Sequence, residues 1–148
     1  MNYNTSKLFD ELLDAWNRHD VQKAVSYYHE DIVWRDYSMP ESFEGIDGAT
    51  QVYKMWVTAF PDLQIRVLNK LVGDDIVAVQ FEFTGTHTGP LNGPDMNVPP
   101  TNRKVTVSDA AFCKFRNGKL IEVHDYPDVQ GFMTQLGLHQ PQAEQQTF

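Results

Sequence analysis

The stretch that decides the fold is VTVSDAAFCKFRNGKLIEVHDYPD, residues 105–128. It holds two largely apolar runs, Val105–Phe115 and Lys119–Asp125, on either side of Arg116-Asn117-Gly118. An Asn-Gly pair between two such runs is a strong short-range signal of a β-hairpin. The stretch therefore predicts two long antiparallel strands, and the rest of the chain can be arranged around them.

Two further strands are predicted before this hairpin. Leu63–Leu71 alternates between apolar and polar residues, and Ile76–Thr84 is rich in Val and Phe. Gly73-Asp74-Asp75 marks the turn between them. Gly85–Arg103 is rich in glycine and proline and lacks apolar periodicity, so it predicts a long loop.

The N-terminal half predicts helices instead. Leu8, Leu12 and Trp16 recur at helical spacing, and Asp20 can cap a second helix. Glycines and a proline predict a loop over 38–48. The predicted elements outside the strands above are helices over 8–16, 21–28 and 49–60, a strand over 32–37 and a closing helix over 129–136.

This order predicts one α+β domain over residues 1–138, with a mobile C-terminal tail over 139–148. Three N-terminal helices cover one face of a curved, mainly antiparallel sheet and enclose a pocket. Ile76 and Ala78 oppose Val77 and Val79 across their strand, so both faces of the sheet are apolar. The face without helices predicts a homodimer.

Composition and charge exclude two classes of partner. The formal net charge of −8 leaves no basic surface for nucleic acid and argues against an anionic membrane. Met1–Lys7 is polar and no apolar run follows it, so no signal peptide is expected. The single cysteine, Cys113, lies between Phe112 and Phe115, which predicts a buried structural thiol and a reducing cytoplasm.

Asp125 is the candidate for chemistry. Strand alternation places Ile121, Val123 and Asp125 on one face, in an apolar row that points inward. An apolar environment raises the pKa of a carboxyl group, which makes it useful as an acid or base near neutral pH. The alternative is that Asp125 only caps the helix that follows, although Asp128 can supply that cap itself.

Other residues are candidates for the walls of the pocket. His87, on a glycine-hinged loop, either lines the mouth or is plain surface. The chain has no phosphate loop, nucleophile elbow or zinc-type Cys/His cluster, so no metal site is predicted. The aromatic candidates, for which ordinary core is the alternative, are Trp16, Trp34, Tyr53 and Trp56, and the remaining predicted substrate contacts are Asp109 and Val123.

Several segments together resemble the SnoaL-like polyketide cyclases, also called ester cyclases, of the NTF2-like superfamily. They are the element order, the Gly85–Gly89 loop, the Pro99-Pro100-Thr101 turn and the terminal segment His124–Gly131. The resemblance covers Leu8 to about Leu138 and implies a cone with a deep pocket for a small apolar ligand. It also implies that Asp125 is the acid/base group for an intramolecular aldol closure of a polyketide ester, without metal or organic cofactor.

The chain departs from the cyclase pattern at one position. Ala111 stands where the cyclases carry a histidine that assists the aspartate, and Asn92–Asn97 lengthens the rim of the pocket. Two main hypotheses follow: a cofactor-free cyclase or isomerase, or a non-catalytic small-molecule-binding domain. A third, hydrolysis of an epoxide, needs an Asp-Arg-Asp cluster that Arg103, Asp109 and Asp125 imitate.

Overall fold

A computed structural model describes residues 3–138 as helices packed on a bent sheet. The predicted mobile tail, 139–148, lies outside the described residues. None of the described helices is long and apolar enough to cross a bilayer. The elements are α1 (Thr5–Asn17), α2 (Val21–Ser26), β1 (Tyr28–Asp36), β2 (Phe43–Glu44), α3 (Gly45–Ala59), β3 (Gln64–Val72), β4 (Ile76–Thr86), β5 (Leu91–Gly93), β6 (Met96–Val98), β7 (Lys104–Arg116), β8 (Lys119–Pro127) and α4 (Val129–Gln135).

The main sheet has six strands in the order β2-β1-β8-β7-β4-β3. Its pairs are antiparallel except for β1 and β8, which run parallel, so the prediction of a mainly antiparallel sheet is confirmed. The predicted hairpin joins β7 to β8, with Arg116 opposite Lys119. Asn117 and Gly118 have φ angles of 51° and 75°, the left-handed conformation that a two-residue hairpin turn requires.

The inner face of the sheet carries the core. Along β7, buried residues alternate with exposed ones, which is the period of a strand with one solvated face. Helix α1 packs near β3 and helix α3 near β1, so the helices cover the inner face. The buried β7 side chains are Val105, Val107, Ala111, Cys113 and Phe115.

The outer face keeps apolar side chains in contact with solvent. Ile76, Phe112, Tyr37 and Tyr126 are 38–47% exposed. The rings of Tyr37 and Tyr126 stack with their centroids 4.5 Å apart. The two-sided apolar character inferred from the sequence is therefore present in the structure, as a surface across β4, β7, β8 and the end of β1.

The structure corrects the N-terminal boundaries. Helix α2 ends at Ser26, and Tyr28 begins β1 with 3% exposure instead of continuing the helix. His29-Glu30-Asp31 lies inside β1, where the pairing with β8 shifts register, and not in a turn. This irregular stretch lets the polar side chains face solvent without ending the strand.

The predicted loops also hold regular structure. The segment 85–103 contains the hairpin of β5 and β6, whose turn places Asp95 at a φ of 54°. Leu91 is fully buried and anchors this hairpin to the core, a long-range contact that local periodicity does not reveal. In the segment 38–48, β2 forms at Phe43, and α3 begins at Gly45 instead of Ala49.

Candidate functional site

A cavity of about 560 Å³ lies between the inner face of the sheet and the helices. Its walls are mainly aliphatic and aromatic. Leu63, just before β3, lines it together with Ile65 and Val67 from one side of β3, as strand alternation predicts. The lining residues that remain exposed to solvent mark its mouth, and they are Ser38, Pro40, Asp95 and Val129.

Three aspartates form an acidic corner of this cavity: Asp36, Asp109 and Asp125. They come from β1, β7 and β8, which are neighbours in the sheet. Asp125 pairs with Asp36 on one side and with Ala111 on the other. Asp109 lies two residues before Ala111 on the same face of β7, so its carboxyl group also faces Asp125.

Asp109 and Asp125 are close enough to hydrogen-bond to each other. The Oδ1 atom of each is buried and has no donor among the described residues. Two ionised carboxylates can only accept hydrogen bonds, so a bond between them needs one proton. The pair is therefore satisfied when one carboxyl group is protonated and the other is not.

The electrostatics of the corner agree with a shared proton. Burial, followed by the hydrogen bond and the charge of Asp109, raises the pKa of Asp125 well above its usual value. Burial also raises the pKa of Asp109, and the charge of Asp36 acts in the same direction. Asp36 is 3% exposed, and its Oδ1 accepts bonds from the backbone N–H of Ser38 at 2.8 Å and from its hydroxyl at 2.5 Å.

The alternative role for Asp125 as a helix cap is wrong. Asp128 is the N-cap of α4, and its Oδ1 accepts from the backbone N–H of Gly131 at 2.9 Å. Asp125 lies three residues earlier, inside β8, and lines the cavity. The carboxyl group of Asp125 therefore does not act as the N-cap of α4.

The inward row of β8 differs from strict alternation. Val123 and Asp125 line the cavity, but Leu120 lines it in place of Ile121. The pairing of β7 with β8 shifts register between Lys114 and Phe115, and this irregularity changes the face of the preceding residues. A bulge of this kind has no clear signal in the alternation of the sequence.

Among the predicted aromatic walls, Trp16, Trp34 and Trp56 line the cavity, whereas Tyr53 does not. Tyr53 is 4% exposed and packs behind Trp16, with ring centroids 5.0 Å apart. For Tyr53, ordinary core is the correct interpretation. The indole Nε1 of Trp16 donates to the hydroxyl of Tyr28 at 3.2 Å, which fixes this aromatic cluster.

His87 is neither at the mouth nor on the surface. It is fully buried, stacks on Phe60 at 5.2 Å between centroids, and accepts from the backbone N–H of Thr101 through Nδ1 at 3.2 Å. The backbone N–H of His87 donates to the carbonyl of Arg103, and this bond holds the two ends of the long loop together. The structure therefore does not bring His87 to the cavity, and its contacts are those of a structural residue.

The Asp-Arg-Asp cluster does not form either. The guanidinium of Arg103 lies beside Gly137, past the end of α4, and does not line the cavity. Within residues 3–138, no three histidine, cysteine, aspartate or glutamate side chains are grouped as metal ligands.

Asp36 and Cys113 are two of the lining residues that were not among the predicted contacts. Asp36 follows Trp34 by two residues in β1, so strand alternation already placed it on the face of a predicted wall residue. Cys113 is buried as predicted, but it lines the cavity as well. Burial raises the pKa of its thiol to about 12, and the charge of Asp125 adds to this effect.

Solved structures of other proteins resemble this chain over most of its length. A candidate SnoaL-like polyketide cyclase from Jannaschia sp. CCS1 is 26% identical over 92% of this chain and 93% of that chain, with a TM-score of 0.80. AclR, a candidate hydroxylase from Streptomyces galilaeus, is 26% identical over 92% of this chain and 86% of that chain, with a TM-score of 0.76.

A more distant structure shares the fold alone. A protein with a ketosteroid isomerase-like fold from Catenulispora acidiphila DSM 44928, in complex with trimethylamine, is 13% identical over 92% of this chain and 96% of that chain. Its TM-score is 0.74, and the predicted NTF2-like cone is confirmed. No curated protein matches the chain.

The model of the SnoaL-like polyketide cyclases matches residues 7–136. This match includes β1, β7 and β8, the strands that bring the three aspartates together. The chain belongs to the SnoaL-like polyketide cyclase family.

Proposed function

We propose that the protein is a cofactor-independent enzyme that moves a proton on a small apolar carbonyl compound, with Asp125 as the acid/base group. Family membership supports a function of the cyclase or isomerase type. The observation that carries the finer proposal is the Asp109–Asp125 pair in the wall of an apolar cavity. The reaction is a polyketide-type cyclisation or an isomerisation.

One carboxyl group of the pair acts as the base, and the other donates a hydrogen bond to the substrate. The ionised carboxylate of Asp109, the group with the lower pKa, takes a proton from the carbon next to the substrate carbonyl. The carboxyl group of Asp125 holds the shared proton and donates a hydrogen bond to the carbonyl oxygen, where negative charge develops. Because the substrate delocalises this charge itself, the step needs only proton transfer, a dry cavity and a fixed pose.

In a cyclisation, the carbanion then attacks a second carbonyl carbon of the same substrate. A carbon–carbon bond forms, and the oxygen of the attacked carbonyl takes the proton of Asp125. Asp109 now carries the proton that it removed, so the pair again holds one proton. In an isomerisation, Asp109 returns its proton to another carbon of the delocalised system instead, while Asp125 stabilises the charge on the carbonyl oxygen.

One observation favours the second function, a non-catalytic binding domain. Ala111 pairs with Asp125 across the strands, at the position where the cyclases place a histidine, and a methyl group cannot assist a base. Asp109, two residues away on the same strand face, provides the second ionisable group in the catalytic proposal. The two functions therefore differ in whether the pair exchanges protons with a bound ketone.

Exchange of α-protons tests the proposal without knowledge of the natural substrate. A panel of cyclic and terpenoid ketones is incubated in D₂O, and loss of the α-proton signals is followed by NMR. We expect the wild-type protein to accelerate exchange on at least one ketone. The rate with Asp125→Asn is expected to be at least ~10²-fold lower than with the wild type.

Asp31→Asn is the matched control, because Asp31 is exposed and lies outside the cavity. This variant is expected to accelerate exchange of the ketone α-protons as much as the wild type does. Exchange by Asp125→Asn at the wild-type rate would refute the role of Asp125. Binding of a ketone without accelerated exchange by the wild type would favour the binding domain.

We also propose that a second copy of the chain covers the outer face of the sheet as a homodimer. The support is the exposed surface of Ile76, Phe112, Tyr37 and Tyr126 on that face. Aromatic side chains of this kind are enriched at protein interfaces.

A further inference from the structure

The charged side chains of the cavity all have the same sign. Asp36, Asp109 and Asp125 form the acidic corner, and Asp95 on the β5–β6 hairpin adds a fourth carboxyl group at the mouth. No lysine, arginine or histidine lines the cavity within residues 3–138. An anionic ligand would meet repulsion here without any cation to pair with.

We propose that the cavity selects a cationic ligand: an apolar, amine-bearing molecule whose ammonium group lies among Asp36, Asp109 and Asp125. The inference deepens the proposed function, since it rests on the same cavity being the binding site. It adds a charge to the substrate class, which a carbonyl compound alone does not specify.

The hydrogen-bonding groups of the corner fit this ligand. The buried Oδ1 atoms of Asp109 and Asp125 have no donor among the described residues. An ammonium group brings three donors and no acceptor, so it matches a corner that offers mainly acceptors. A buried carboxylate without a cation is costly, and the attraction of a bound ammonium group offsets part of that cost.

The aromatic walls fit the same charge. Trp34 lies two residues before Asp36 on the same face of β1, so its ring lies next to the acidic corner. The faces of tryptophan rings attract cations, and tryptophan is the strongest of the aromatic residues in this respect. The hydrocarbon part of the ligand then lies against side chains such as Val79 and Phe81.

Three probes of one shape and different charge test the proposal at pH 7: cyclohexylmethylamine, cyclohexylmethanol and cyclohexanecarboxylate. All three tryptophans of the chain line the cavity, so their fluorescence reports its occupancy. We expect the amine to bind at least tenfold more tightly than the alcohol, and the carboxylate at least tenfold more weakly. A carboxylate that binds as tightly as the amine, an amine no better than the alcohol, or no binding by any probe would overturn the proposal.

Proton release gives a second readout that apolar binding alone would not produce. A bound cation favours the ionised form of both carboxyl groups, so binding of the amine expels the shared proton into the buffer. The heat of binding should therefore change with the ionisation enthalpy of the buffer for the amine, and not for the alcohol. Equal heats in all buffers for the amine would contradict a site at the Asp109–Asp125 pair.

Substitutions locate the charge. Asp36→Asn keeps an oxygen that can accept from Ser38 and removes one charge, and it is expected to lower the ratio of amine to alcohol affinity at least threefold. Asp109→Asn should do the same, and it decides the question if Asp36→Asn does not fold. Asp31→Asn, outside the cavity, should leave the ratio unchanged. An unchanged ratio in the folded cavity variants would overturn the proposal.

The binding assay and the proton-exchange assay test the two proposals independently. A protein that prefers the amine but exchanges no α-protons retains this inference and refutes the enzyme. A protein that exchanges α-protons but shows no preference for the amine retains the enzyme and refutes this inference.

Discussion

Replacement of Asp109 by asparagine is expected to stabilise the protein, and more so as the pH rises. The pKa of Asp109 is raised from 3.8 to about 6, mainly by burial. A carboxyl group with a raised pKa binds its proton more tightly in the folded state than in the unfolded state. Its ionisation therefore destabilises the fold progressively, from the unfolded pKa near 4 up to the folded pKa near 6.

The size of the effect follows from this shift. One pKa unit corresponds to about 1.4 kcal/mol, so ionised Asp109 costs about 3 kcal/mol at pH 7. At pH 4.5 most of the group is still protonated in the fold, and the cost is about 1 kcal/mol. Asparagine does not ionise, and its amide can donate to Asp125. The increase of about 2 kcal/mol between the two pH values corresponds to about 4–8 °C in Tm for a domain of this size.

The assay is thermal unfolding of the wild type, Asp109→Asn and Asp31→Asn at a series of pH values from 4.5 to 7.5. The difference in Tm between Asp109→Asn and the wild type should be positive and should grow with pH. The exposed Asp31→Asn control should show a small, constant difference. A constant difference for Asp109→Asn, or one that shrinks as the pH rises, would refute the shared proton.

Three other predictions concern features outside the acidic corner. Light scattering at micromolar concentration should give twice the chain mass of 17.0 kDa, and Phe112→Glu should shift it to the monomer; a wild-type monomer would remove the proposed dimer. Thiol reagents should modify Cys113 slowly in the native protein and quickly in denaturant, because burial raises the pKa of its thiol, and fast native labelling would contradict this. Asp128→Ala should lower the free energy of unfolding by about 1 kcal/mol and Asp128→Asn by much less, as measured by urea denaturation, since either oxygen can cap α4. Equal losses in these two variants would argue against the cap.

The parts of the fold that depend on local patterns could be predicted from the sequence. The hairpin at Asn117-Gly118 follows from turn chemistry, and the inward direction of Asp125 follows from alternation near the end of β8. Alternation fails across register shifts, which is why Leu120 replaces Ile121 in the wall. An extra residue in one strand changes the face of its neighbours without a compositional signal.

The acidic corner depends on non-local pairing and could not be predicted in the same way. Asp36 meets Asp125 only because β1 and β8 pair in parallel, and such a connection has no short-range signature. His87 was predicted to lie at the mouth of the pocket or on the surface, and it is fully buried instead. A polar residue beside glycines is typical of a surface loop, but here Phe60 and Thr101 close over it.

The parallel pairing of β1 with β8 also has a consequence for the order in which the protein is made. In the sheet, β1 lies between β2 and β8, so one of its edges has no partner until residues 119–127 leave the ribosome. An open strand edge in a nascent chain is a template for pairing with other chains. The same late event brings Asp125 beside Asp36, so the acidic corner cannot assemble before the last strand is in place. Proteins truncated before β8 are therefore expected to be both inactive and prone to aggregation.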